Sequence, residues 1–306
     1  MSLRRLQLLV LVLLAGAAPA SAATIFAGDI DTDDITAVDS GSAATVFVGN
    51  LGQNLSFGGL AYDTGTGTMY VSDIEFDEGY GLASVDLATG DATFIGGHVN
   101  SINIWGLAYD SANDVLYGAD GSNVGLATLD RATGESTLVG AYVDARASLI
   151  CALAYDAGTD TLYGVSAYEN AGDAPTAGRG NGAAAAPQGA GVNSQLFTLN
   201  RATGAATLVG DLGVALDASN VRCGLEIDPV TGNLIAGAYD GSLYRVDKSS
   251  GAATFIGNTG IAIDALGAPP QAGTWVDIPT LAPGGLLLLA LVLAAAAALL
   301  LRRRTA

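Results

Sequence analysis

The chain has 306 residues, 30 acidic and 12 basic, for a formal net charge of −18. Five of the basic residues (Arg4, Arg5, Arg302, Arg303 and Arg304) lie at the two ends, so the body between them carries 7 − 30 = −23. Such a body repels the phosphates of nucleic acid and anionic lipid, which argues against both as direct partners, while it favours solubility and attracts cations.

In chain order, residues 1–22 come first. Arg4 and Arg5 precede a short apolar run, Leu8 to Ala15, and the small residues Ala18-Pro19-Ala20 and Ala20-Ser21-Ala22 follow. Basic start, short apolar stretch and A-x-A ending are the parts of a secretory signal peptide, with the cut expected after Ala20 or Ala22.

Residues 23–277 form the body. Short apolar runs alternate with Gly, Asp and Thr turn signals, and no long amphipathic helix appears, so the class is all-β. Gly59-Leu-Ala-Tyr-Asp63 recurs as Gly106-Leu-Ala-Tyr-Asp110, Ala152-Leu-Ala-Tyr-Asp156 and Gly224-Leu-Glu-Ile-Asp228. A second unit recurs with it, beginning at Asp86 (DLATGDATFIG), Asp130, Asn200 and Asp247. The Asp or Asn side chain accepts backbone N–H bonds in its turn, and Thr-Gly or Ser-Gly supplies the positive-φ residue of a tight hairpin. Each repeat yields four strands, around Leu60, Met69, Leu82 and Phe94 in the first, which is the blade of a β-propeller. Residues 166–194 are rich in Gly and Ala and read as a loop inserted in the third repeat.

Two incomplete fragments flank the repeats. Ile25-Phe-Ala-Gly28 with residues 39–49 resembles a blade lacking its first strand, and Gly260-Ile-Ala-Ile-Asp264 resembles a lone first strand. Joined, they make one split blade, and the expected fold is a five-bladed β-propeller with no free sheet edge at the seam. The repeats resemble the loosely defined propeller repeats of secreted bacterial proteins, a likeness that implies the fold and no particular activity.

The body offers few groups for chemistry. Cys151 and Cys223 hold the same position in neighbouring repeats, and in an oxidising compartment a disulfide between them is expected. Asp29, Asp31, Asp33 and Asp34 fall in one second-to-third strand connection, and Asp73, Glu75, Asp77 and Glu78 in that of the next blade. Together they are the candidate calcium ligands, since hard cations take six to eight oxygens. Asp29-x-Asp31-x-Asp33 imitates the start of an EF-hand loop but has Asp34 and Ser40 where that loop needs Gly and Glu. The sole histidine, His98, excludes a multi-histidine metal centre and reads as a surface residue. No G-x-S-x-G elbow accompanies any serine. Tyr62, Tyr109 and Tyr155 recur at one repeat position as packing residues, and Trp105 reads as core filler.

Residues 278–306 form the tail. Leu286 to Leu301 is sixteen apolar residues, eighteen with Gly284 and Gly285, close to the ~17–25 needed to span hydrocarbon. Arg302, Arg303 and Arg304 follow, and such clusters stay on the cytoplasmic side. Ile278-Pro279-Thr280-Leu281, the Gly pair, the apolar stretch 284–301 and the Arg cluster resemble the IPTL-CTERM sorting signal, a relative of the PEP-CTERM signals that exosortases handle in Gram-negative bacteria. Ala282-Pro283-Gly284 lacks the aromatic residue frequent there. The resemblance implies a membrane protease of exosortase type as partner, a temporary membrane anchor, and delivery of the body to the cell surface or outside, in the company of surface polysaccharide; surface polysaccharide or protein is the expected binding partner. The expected role is a binding or structural module of the envelope or extracellular matrix, not an enzyme. The alternative is a calcium-dependent propeller hydrolase acting on a phosphoester, lactone or glycan.

Overall fold

The structure, a computed structural model, describes residues 23–56, 58–76, 79–98, 103–167, 193–217 and 221–271. The expected signal peptide, the body of the inserted loop and the sorting tail lie outside the described residues. Among the described residues no helix is long and apolar enough to cross a membrane.

The first segment supplies β1 (Thr24–Asp29), β2 (Asp34–Asp39) and β3 (Thr45–Asn50). Blade 1 contains β4 (Asn54–Leu55), β5 (Leu60–Asp63), β6 (Thr68–Phe76), β7 (Gly79–Val85) and β8 (Ala92–Gly97). Blade 2 is β9 (Ile104–Asp110), β10 (Val115–Asp120), β11 (Gly125–Leu129) and β12 (Ser136–Ala141). Blade 3 is β13 (Ile150–Asp156), β14 (Thr161–Ser166), β15 (Gln195–Leu199) and β16 (Ala206–Asp211). Blade 4 is β17 (Cys223–Ile227), β18 (Leu234–Ala238), β19 (Ser242–Val246) and β20 (Ala253–Asn258). The last strand, β21 (Ile263–Gly267), pairs antiparallel with β1, and the sheet β21-β1-β2-β3 is the fifth blade. The protein is a five-bladed β-propeller closed by its own two chain segments.

The closing strand begins three residues later than expected. In Gly260-Ile-Ala-Ile-Asp264 the last two residues, Ile263 and Asp264, do open β21, but Gly260 has φ +76 and Ile261 N–H is held by Thr259 Oγ1, so residues 260–262 belong to the turn that precedes it. The strand register instead sets Ala27 opposite Leu266 and Gly28 opposite Ala265. Packing at the axis decides this. A Cβ on Gly59 would strike Gly106, one on Gly106 would strike Ala152, and one on Gly224 would strike Ala265 and Leu266. Ala265 therefore occupies the place of Gly59, Gly106, Ala152 and Gly224, and only small residues let the inner strands approach that closely.

The outer part of each blade leans on the next by a second rule. The glycine near the end of each fourth strand lies under the third-to-fourth strand turn of the following blade. An added Cβ on Gly96 would come within 1.9 Å of Thr133 O, on Gly140 within 2.2 Å of Thr203 O, and on Gly210 within 1.9 Å of Ser250 O. Gly49 meets Thr89 O in the same way, and Gly257 meets Ser42 O and the Ala43 methyl, which completes the circle. This contact is the reason for the spacing of the recurring T-G-x-x-T-x-x-G pattern. Between the sheets lie five apolar clusters whose members include Ile25, Ile35, Leu82, Leu126, Phe197 and Leu243, each fully buried.

Gly140→Ala is expected to cost about 1–3 kcal/mol by overpacking against backbone that cannot yield. Gly97→Ala, whose added methyl would meet only Tyr80 O at 3.7 Å, should cost about 0.5 kcal/mol or less. Denaturant midpoints of the two variants measure the difference.

Candidate binding site at the blade junctions

In each blade the first-to-second and third-to-fourth strand turns share one face of the ring, here the lower. Asp63 Oδ1 accepts N–H bonds from Gly65 and Thr66, and Asp110, Asp156 and Asp228 do likewise in their own turns. Their second oxygens are turned to the following blade. Arg131 of blade 2 is bonded to Asp63 of blade 1, Arg201 of blade 3 to Asp110, and Lys248 of blade 4 to Asp156 at 2.6 Å. In the fifth blade Ser40 donates to Asp228 at 2.5 Å. Blade 1 has Leu87 in the corresponding place, because the blade before it is the split one and carries no such Asp. The accepting carboxylates are 0–7 % exposed. Burial alone would raise their pKa values, but the N–H bonds and the cations outweigh it and hold Asp63, Asp110 and Asp156 below the usual carboxylate range.

These latches form the wall of a recurring shallow groove. At the junction of blades 1 and 2 it is lined by Tyr70, Asp114, Thr128, Arg131 and Ala132. At the next junction the equivalents of Tyr70, Asp114, Arg131 and Ala132 are Tyr117, Asp160, Arg201 and Ala202, with Thr161 beside them. A third groove in blade 4 is lined by Asn233, Arg245, Asp247 and Lys248. Each guanidinium is fixed between two carboxylates, with Arg131 Nη2 to Asp114 at 2.7 Å and Arg201 Nη2 to Asp160 at 2.7 Å. Tyr109 and Tyr155 support them from beneath, the guanidinium carbon lying 5.4 Å from each ring centre. Their hydroxyls donate to Asp114 and Asp160 at 2.7 Å. The groove thus presents immobilised N–H donors beside carboxylate acceptors, the pairing that a polyhydroxylated ligand can satisfy in both directions.

On the upper face the acidic residues singled out in the sequence are spread over separate tasks. Asp29 Oδ1 accepts from Asp31 N–H, Asp33 Oδ1 from Leu55 N–H, Asp34 Oδ1 from Asn50, and Asp31 from the Tyr239 hydroxyl. Glu75 Oε2 accepts from Asn54. Asp77 and Glu78 lie outside the described residues. Asp73 is apart from all of these, 1 % exposed and bonded to Ile104 N–H at 3.1 Å. Among the described residues no three His, Cys, Asp or Glu side chains gather as a ready metal-binding group.

Close to the axis, residues 58, 105, 151, 223 and 264 stand at one level of the five inner strands. There the structure joins Cys151 to Cys223 by a disulfide with Cα atoms 5.8 Å apart, tying blade 3 to blade 4. Closing a loop of this length contributes about 4 kcal/mol in the chain-entropy account. At the same level Asp264 Oδ2 accepts Gly58 N–H at 2.8 Å, tying the fifth blade to the first. Trp105 is half-buried, its ring set over Gly121, where a Cβ would come within 2.3 Å of it.

Two ionisable groups, His98 and the half-buried Glu226, occupy places the sequence reading did not give them. His98 is not a surface residue: it is 7 % exposed, in the core position held elsewhere by Leu51, Tyr142 and Leu212. Nδ1 lies 3.0 Å from Gly134 O, and burial lowers its pKa. Glu226 replaces the small Ala61, Ala108 and Ala154 of the other inner strands. It accepts N–H bonds from Ile227 and, in the closing strand's extension, from Ala268 at 3.1 Å. Ala268 stands where other blades have Tyr, so the longer Glu226 fills the space and clips down the end of β21.

No protein-family model and no curated protein matches the chain.

Burial pushes Glu226 up to about 8 against the pull of its two N–H bonds. A raised folded-state pKa means stability is greatest below the ordinary carboxylate range and is lost as pH rises through about 8. The thermal midpoint should therefore carry a decline that begins near the ordinary carboxylate value of 4.5 and ends near pH 8, and Glu226→Gln should flatten it. His98, whose pKa burial lowers, acts in the opposite sense as pH rises through the ordinary His value of 6.5, and comparing the variant with the parent cancels that contribution.

Proposed function

We propose that this propeller is exported and delivered to the cell surface, where it acts as a binding module of the envelope or extracellular matrix, with neutral surface polysaccharide as its ligand class. The observation that carries this reading is the recurrence of one groove, with the same Tyr, Asp and Arg positions, at successive blade junctions. A catalytic centre is built once; a surface built in copies suits a ligand that is itself a repeat, because linked weak contacts gain through effective concentration. The −23 body disfavours anionic polymers, and the fixed N–H donors and carboxylates of the groove favour hydroxyls.

Export rests on the two ends of the sequence. The short apolar N-terminal run with its small-residue cut site supports secretion. The IPTL-like tail supports recognition by an exosortase-type protease, with residues 284–301 holding the chain in the membrane until it is cut. The disulfide between Cys151 and Cys223 accords with folding in an oxidising compartment.

One experiment addresses both halves. Protein recovered from the surface of a producing cell is weighed by intact mass and titrated with that cell's neutral exopolysaccharide and, separately, with heparin. The expected mass lacks residues 1–20 or 1–22 and the segment from about 278 onward. Ala132 and Ala202 are exposed groove residues outside the core. Ala132→Trp or Ala202→Trp alone should weaken polysaccharide binding a few-fold, and the pair together by tenfold or more (both order-of-magnitude figures), with heparin bound by none. Unchanged affinity in the double variant contradicts the groove reading, and a full-length mass contradicts the processing.

A further inference from the structure

We infer that the upper mouth of the central channel is a cation site built from Asp73 and Asp264, and that its ligand is a hard, oxygen-seeking ion of the calcium class. It lies on the opposite face from the grooves and stands independently of them.

Asp264 and Asp73 are each 1 % exposed. They belong to adjacent blades and are brought together by the seam of the ring. Asp264 Oδ2 holds Gly58 N–H, and Gly58 itself lies against the Ser72 carbonyl, where a Cβ would come within 2.1 Å. Asp73 is the next residue. It sits in the irregularity of β6 between Val71 and Ile74 with φ +50, a left-handed conformation that is uncommon outside glycine and that re-aims its side chain. One oxygen of each carboxyl is committed to a backbone N–H, Asp264 to Gly58 and Asp73 to Ile104. Asp264 Oδ1 is buried with no hydrogen-bond partner of any kind.

A buried, unpartnered carboxylate oxygen is costly and calls for compensation. Against the pull of burial, Arg222 draws the Asp264 pKa down through its charge, while its Nε bonds Asp217 at 2.8 Å and its guanidinium stacks 3.4 Å from the Tyr239 ring centre. A proton is the other possible counter-charge. Burial foremost, and the Asp264 and Asp120 carboxylates, do push Asp73 well above the usual range, and burial does the same to Asp264. Yet a single proton on Asp264 Oδ1 compensates only one carboxyl of the pair and leaves the charge of the other buried. A bound cation satisfies both carboxyls at once. Two carboxylates fall short of the six to eight oxygens calcium takes, so backbone carbonyls and water would complete the set.

The test is a calcium titration of the full chain after chelator treatment, read by calorimetric stoichiometry and thermal midpoint, with sodium at matched ionic strength as control. The expected result is one calcium per chain and a rise of about 5–10 °C at roughly a hundredfold excess over Kd. Asp264→Asn and Asp73→Asn should each abolish the rise. Both keep shape and remove a buried charge, so the metal-free variants should unfold no earlier than the metal-free parent. Asp31→Asn and Asp33→Asn, on the outer acidic loop, should keep the full rise. The proposal is overturned if the parent shows no stoichiometric binding, or if binding survives in Asp264→Asn. It is equally overturned if binding disappears with Asp31 or Asp33. A fold lost in one inner variant leaves the other and the parent stoichiometry to decide.

Discussion

The pairing of β21 with β1 is the constraint on which the rest of this molecule depends. A sheet of four-stranded blades in a row has two terminal faces and two unpaired edges, each apolar or hydrogen-bonding and each exposed. Joining the last strand to the first removes both. The ladder that does this runs through Phe26, Ala27, Gly28 and Asp29. The surrounding contacts serve the same seam. Asp264 reaches across to Gly58, Glu226 pins Ala268, and Ser40 binds Asp228. The blade that is assembled from two ends is thereby tied to both neighbours by side chains, Ser40 in the latch position common to the ring and Asp264 and Glu226 at places of their own.

The other junctions are held by two repeated devices of different character. Glycines let backbone pass over backbone, which sets the angle between blades. Cation–carboxylate latches then fix the turns on one face. The latches stand on buried carboxylates already bonded by turn N–H groups, so each Asp holds its own hairpin and its neighbour's at once. Where the preceding blade is split, the cation position falls to Leu87, and where the latch reaches blade 4 from the split blade it is a serine. The variation along the repeat follows from which Asp exists to be met. The same latches make the lower surface a series of alike grooves, and so the device that builds the ring also shapes that face.

Much of this was legible in the sequence because the physics is local. Asp followed by Thr-Gly makes a hairpin wherever it occurs, so four blades and their order could be read directly. The near-equal spacing of Tyr62, Tyr109 and Tyr155 marked the unit. What could not be read was anything that crosses between blades. The buried carboxylate partners of Arg131, Arg201 and Lys248 are 68, 91 and 92 residues away along the chain and leave no local trace. Their one visible signal was a basic residue recurring after Asp or Asn in a chain otherwise poor in positive charge. The start of the closing strand misled because Gly260 copies the glycine that opens an inner strand, while the strand has Ala265 in that place. In the run Asp29-x-Asp31-x-Asp33 each carboxylate takes a different hydrogen-bond partner, which no spacing reveals. Asp264 lies within the expected strand, but nothing local marks it as belonging with Asp73. His98 looked exposed beside Gly96 and Gly97, yet the position after each fourth strand is a core position in every blade.

Ring closure by the two chain segments is the central claim, and amide hydrogen exchange tests it most directly. The account predicts that the ladder amides of β1 and β21 exchange as slowly as those of β10 and β14, because opening the seam requires global unfolding. Exchange of β1 and β21 at the rate of fraying termini, with β10 and β14 still protected, would contradict it.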